Sequence, residues 1–201
     1  MSEPKKQRSF YGEQQVLNWW RSMNASPDEL KKDNIQPAPT VWRAELKRAA
    51  SPDAALLTQG FRGLWFRLPP DAYPNFLKPE HKMLAWGAVA GLLSHVRHSS
   101  PAHSFAYQLG KPDEQTDKPI VSELRFQQLI ASKSPEDFYR RLQRIIHQMK
   151  GELPVVHLSQ SILEWFAEHL KTQPTPANLS VTLRWAMDYY QAADKASAKN
   201  T

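Results

Sequence analysis

The sequence predicts an all-α fold, a helical bundle of about eight helices in two packed sub-bundles. Three observations point there. Only seven of the 201 residues are glycine, too few for propellers, tight β-hairpins or Gly-rich phosphate loops. Apolar residues make up 41% of the chain, with seven Trp, eight Phe and six Tyr, and they recur at helical rather than alternating spacing. Between those periodic runs lie Pro-containing stretches such as "NIQPAPT" and "PPDAYPNFLKP", which read as connectors.

Taken in order, Phe10, Val16, Leu17, Trp20 and Met23 mark the first helix, and "SPDEL" with "NIQPAPT" separates it from "TVWRAELKRAA". Thr40 is the expected N-cap of that second helix. "SPDAALLTQGFRGLWFRL" reads as one further helix, with Ser51 as cap, Pro52 in the first turn and Asp53 near the positive end of the dipole. The segment from Glu80 to Val96 is almost wholly apolar. Its Gly87, Ala88, Ala90 and Gly91 would let neighbours pack closely, which makes it the expected central core helix. Arg97 to Pro119 reads as an extended loop with a mobile tip at 110–119. "VSELRFQQLIA", "SPEDFYRRLQRIIHQMKG", "SQSILEWFAEHLK" and "TPANLSVTLRWAMDYYQAAD" supply the last four helices, followed by a polar tail expected to fray. The two sub-bundles, 1–100 and 101–201, form one unit with a soft boundary.

Several functions are disfavoured. With no cysteine, thiol catalysis, disulfides and cysteine-ligated metals are excluded. The longest apolar run, near "MLAWGAVAGLL", is about eleven residues, short of the roughly twenty needed to span a bilayer. No secretory h-region is evident, and a cytoplasmic protein is expected. His95, His98 and His103 fall close together, but no Asp or Glu lies between residues 81 and 112 to complete a ligand set. A histidine favoured by the negative end of a helix dipole is the simpler reading. No G-x-S-x-G, Walker or G-x-G-x-x-G pattern occurs. Neither an enzyme, a cofactor nor a metal is expected.

What remains is charge. Lys and Arg number 26 against 20 Asp and Glu, a net +6. In "SPEDFYRRLQRIIHQMKG", Phe138, Leu142, Ile145, Ile146 and Met149 fall on one side of a helix. Arg140, Arg141, Arg144 and His147 fall on the other. Past its first turn this face carries almost one sign, whereas solvated faces usually mix signs. "RAELKRAA" repeats the theme with Arg43 and Lys47 four apart and Arg48 beside them. Arg62 and Arg67 follow, then Arg125 and Arg184. Cations scattered over several helices suit a groove tracking a phosphate backbone. The geometry of single helices leaves a solvated face and an anion-binding face both open.

The order of four segments resembles the CasB family, the small subunits of the type I-E CRISPR surveillance complex, Cascade. They are "VWRAELKRAASPDAAL", "VSELRFQQLIAS", "FYRRLQRIIHQM" and the closing "LRWAMDYY". The resemblance spans about Trp19 to Tyr190. It implies a non-enzymatic helical subunit, present in two copies, that meets other Cascade subunits and the guide RNA. It further implies a hold on the displaced single-stranded DNA of the target. The matching cations would be Arg43, Lys47, Arg48, Arg125, Arg140, Arg141 and Arg144, with Arg97 and Arg184 beside them. The alternative is a generic helical adaptor whose basic faces meet acidic proteins.

Overall fold

A computed structural model of the chain describes residues 10, 12–70, 72, 78–101, 104–113, 115–171 and 175–197. Among these residues the fold is helical and holds no strand. The helices are α1 (Glu13–Asn24), α2 (Pro27–Lys32), α3 (Thr40–Arg48), α4 (Pro52–Leu56), α5 (Gln59–Trp65) and α6 (Pro79–Leu93). They continue with α7 (Phe105–Gly110), α8 (Glu123–Ile130), α9 (Pro135–Gln148), α10 (Val155–His169) and α11 (Val181–Ser197). The eight of seven residues or more correspond to the eight expected segments. Among the described residues no helix is long and apolar enough to cross a membrane.

The differences from expectation have local causes. "SPDEL" reads in the sequence as a separator but forms α2. A capping box drives it: the Glu29 carboxylate accepts from Ser26 N at 2.8 Å, and Glu29 N donates to Ser26 Oγ at 3.4 Å. "SFAYQLG", read as loop, forms α7, where Ser104 Oγ caps Tyr107 N at 3.1 Å and Phe105, Ala106 and Leu109 are buried. The single helix expected over 51–68 breaks between α4 and α5. There the Thr58 hydroxyl donates back to Ala55 O at 2.7 Å and accepts from Phe61 N at 3.1 Å, ending one helix and capping the next. Thr40 is the first helical residue rather than the cap, a place taken by Pro39. "TPANLS" opens with a 3-10 turn, Ala177–Leu179, so α11 starts only at Val181. At the tip, 110–119, where residue 114 lies outside the described residues, the two flanks are tied together, with Asp113 N donating to Lys118 O and Ile120 N to Lys111 O, both at 2.8 Å. Most of the connector near 71–77 and the tail from 198 lie outside the described residues.

Helix α6 is buried continuously from Ala85 to Leu93, so every face of it needs a partner. Helix α4 closes on it at Gly87, where the Leu56 side chain and the Pro52 carbonyl fill the space a Cβ would take. Helix α9 closes on it at Gly91 through the Tyr139 ring. Burial pushes the Tyr139 hydroxyl far above its ordinary pKa, and it donates to Ala49 O at 3.1 Å, tying α9 to the end of α3. From α1, Trp19 Nε1 donates to Gly60 O at 3.0 Å and Trp20 Nε1 to Val96 O at 3.1 Å. Helix α10 packs on α6 and α1, and one continuous buried cluster runs from Val16 to Tyr189.

Beyond α6 the chain runs alongside the turn after α9. Arg97 N donates to Gly151 O at 2.8 Å, and Leu153 N to His98 O at 3.2 Å. Gly151 has φ 75°, the left-handed region that glycine enters without strain. This pairing sets the end of α6 beside the end of α9.

Replacing Gly91 with Ala drives a methyl group into the Tyr139 ring. A loss of about 1–3 kcal/mol is expected from overpacking, measured as a lower urea midpoint at unchanged slope.

Candidate nucleic-acid interface

Helix α9 buries Phe138, Tyr139, Leu142, Ile145 and Ile146, and its polar side divides into two stripes. At about 100° per residue, one stripe holds Arg141 and Gln148 beside Asp137, the other holds Gln143 and His147, and Arg140 and Arg144 lie between them. The two stripes meet different neighbours.

The second stripe meets the end of α6. Gln143 Nε2 donates to His95 Nε2 at 3.0 Å, which leaves the His95 proton on Nδ1 to be donated to His147 Nε2, also at 3.0 Å. Helix α3 arrives at the same corner, with Arg43 Nε donating to Ser94 O at 3.1 Å. One turn later on the same face is Lys47, and Arg97 leads away from α6. Arg43 and Lys47 are half-buried, whereas Arg97, Arg140 and Arg144 are exposed.

These cations crowd one another. Burial lowers the proton affinity of Arg43, and Arg97 lowers it further. Burial, then Arg43 and Arg97, do the same to Lys47. Among the described residues no acidic side chain lies within 4.0 Å of Arg43, Lys47, Arg48, Arg97 or Arg144. Crowded like charges without counter-charges cost stability, and a bound anion would relieve that cost.

His95 sits in the middle and carries no charge at neutral pH. Burial, His147, Lys47 and Arg43 together bring its pKa down to about 4. The expected stabilisation of a charged imidazole by a helix end is overturned here, because burial and neighbouring cations outweigh the dipole. His98 is exposed and bridges to Glu152 through its backbone. His103 lies outside the described residues, and among those described no three His, Asp or Glu side chains are placed to hold a metal.

A family model described as CRISPR-associated protein Cse2 matches residues 42–190. The chain belongs to this family, the type I-E CRISPR small subunits. CasB and Cse2 denote the same family. No curated protein and no solved structure matches the chain.

The Cse2 match covers all nine cations that the family resemblance singles out, and the fold divides them. Arg43, Lys47 and Arg97 stand together at the α3–α6–α9 corner. Arg140 and Arg144 flank it on α9, and Arg48 is exposed in the last turn of α3. The other three are held by acceptors within the fold. Arg141 Nε donates to Asp137 Oδ1 at 2.9 Å, and its NH1 donates to Gln128 O. Arg125 NH1 donates to Gln148 Oε1 at 2.5 Å, while Gln148 Nε2 donates to Ile120 O at 2.6 Å. These bonds fasten α8 to α9. Arg184 pairs with Glu164 of α10 at 2.9 Å, away from the corner. Gln143 and His95 were not foreseen as parts of the corner. Their partners lie 48 and 52 positions away, beyond the reach of any local pattern.

Two outcomes follow. Arg141→Ala should lower stability by about 0.5–1.5 kcal/mol, and Arg140→Ala by almost nothing, since Arg140 is 62% exposed and 4.0 Å from Asp137. Chemical denaturation of both variants makes the comparison. The second concerns pH. His95 titrates near 6.5 when unfolded and about 4 when folded, so between those values only the unfolded state takes the proton. Stability should be full above about pH 6.5, fall as pH drops toward 4, and level off below. For this partly exposed group the loss is on the order of 1–2 kcal/mol. Melting His95→Gln beside the parent from pH 7 to 4 should show a shallower decline in the variant.

Proposed function

We propose that this Cse2-family chain is a strand-holding subunit of Cascade. It binds nucleic acid without reading sequence and stabilises the R-loop by keeping the displaced, non-target DNA strand on its surface. The same surface supports the guide-RNA filament alongside the other Cascade subunits and a second copy of the chain in the cytoplasm. The reading is non-catalytic. Its site offers cations and amides rather than a nucleophile paired with an oriented base.

The observation that carries this reading is the uncompensated cationic corner of Arg43, Lys47 and Arg97, extended by Arg140 and Arg144 on α9 and edged by Arg48. R-loop formation exchanges one duplex for another at nearly equal free energy, so modest contacts to the displaced strand tip it forward. Such contacts have to ignore sequence, which asks for side chains that grip phosphates rather than base edges. Three converging segments make a surface of that kind, whereas base-edge reading calls for one helix seated in a groove.

The experiment is single-strand binding by the isolated chain across a range of salt. With six cations on phosphates, log K should fall against log salt with a slope near −4, from about −0.7 per contact. The double variant Arg140→Glu, Arg144→Glu should weaken binding and flatten the slope by about 1.4 without lowering the melting temperature. Retention of parental affinity by that variant would defeat the reading. An acidic protein partner captured in place of nucleic acid would favour the adaptor alternative.

A further inference from the structure

Helix α3 carries cations toward α6 and an aromatic ring toward α5. Trp42, the residue before Arg43, lays its ring over Gly63 of α5, in the space a Cβ would occupy. The Arg67 guanidinium sits over that ring, 5.3 Å from its centroid, and NH1 donates to Gly63 O. Between Gly63 and Arg67 stands Phe66, 81% exposed, with no ring contact to another side chain among the described residues. One turn before Phe66 is Arg62, also exposed, with NH1 donating to Leu57 O at 3.4 Å. No acidic side chain among the described residues lies within 4.0 Å of Arg62 or Arg67. The nearby Glu45 carboxylate is engaged at the other end of α5, accepting from Gln59 N at 2.8 Å.

A single exposed aromatic needs no explanation on its own. This one stands between two arginines that lack counter-charges, beside a tryptophan that fixes one of them. Its shared wall, α3, also forms the cationic corner. Single-stranded nucleic acid offers the complement: a flat π-face on every base and a phosphate on every linkage. An apolar protein segment would use the ring but leave two guanidinium groups uncompensated.

We propose that Phe66, flanked by Arg62 and Arg67, is a stacking platform for an unpaired nucleobase on a strand that crosses α3 from the cationic corner. Trp42 positions Arg67, and the two arginines take the phosphates on either side of the stacked base. This platform rests on the strand-holding reading of the corner and adds to it a contact that depends on bases as well as phosphates.

The test compares two oligomers of equal length and charge, an oligothymidylate and an abasic deoxyribose-phosphate chain, by fluorescence anisotropy with the full chain. Phe66→Ala should weaken binding of the oligothymidylate about tenfold, within the range known for loss of one base–aromatic stack. It should leave the abasic chain and both salt slopes unchanged. Phe66→Trp should retain the parental preference for the base-bearing strand. Because Phe66 is exposed, both variants should melt with the parent. Equal affinity of the parent for the two oligomers, or equal effects of Phe66→Ala on both, would overturn the platform and leave the groove standing. Failure of the parent to bind either oligomer at low salt would overturn platform and groove together.

Discussion

The burial of α6 is the constraint on which the rest of this fold depends. A helix buried without interruption from Ala85 to Leu93 has no face to give to water, so its neighbours have to enclose it. The two glycines at 87 and 91 set how closely they do so, one admitting α4 and the other the ring of Tyr139. Tyr139 then ties α9 to the end of α3 through Ala49. Where α6 ends, three polypeptide segments are therefore already fixed in place. Arg43 reaching the Ser94 carbonyl and Gln143 reaching His95 are consequences of that enclosure.

Electrostatically, the same helix does two kinds of work. On α9, Arg141 neutralises the Asp137 carboxylate near the helix start and caps a carbonyl of α8. It is a structural cation, and removing it unties a junction. Arg140 and Arg144, one and three positions away, remain toward solvent. At the corner the balance is inverted, since burial and then Arg97 lower the proton affinity of Arg43, and burial, Arg43 and Arg97 lower that of Lys47. A neutral His95 between them spares the corner one more positive charge.

The match to the Cse2 family begins at Trp42 and ends at Tyr190, thus containing the corner and the helices that enclose α6. Helices α1 and α2 precede it. Even so, α1 contributes Trp19 and Trp20 to the core, and their indole nitrogens reach Gly60 and Val96. Those bonds steady α5 below Phe66 and the chain just before Arg97. The N-terminal helix acts on the proposed strand path from behind, by holding its two ends.

Much of this protein is legible in its sequence. Helical periodicity marked the eight longer helices, and Ser51 and Ser134 with their following prolines marked two helix starts. The apolar run announced the central helix, and the segregation of arginines on α9 showed that they were not core. Missing were α2, α7 and the break at Thr58, where a few hydroxyl and carboxylate hydrogen bonds outweighed composition. Sequence also could not separate Arg140 from Arg141. Adjacent residues point about 100° apart on a helix, and which direction meets solvent depends on neighbours distant along the chain. Residue type and spacing determined that a helical, basic, core-bearing protein would form. Only the tertiary structure decided which cations share a site, because hydrogen bonds to Gln128, Gln148 and Glu164 hold three arginines while the closure of α3, α6 and α9 gathers the others.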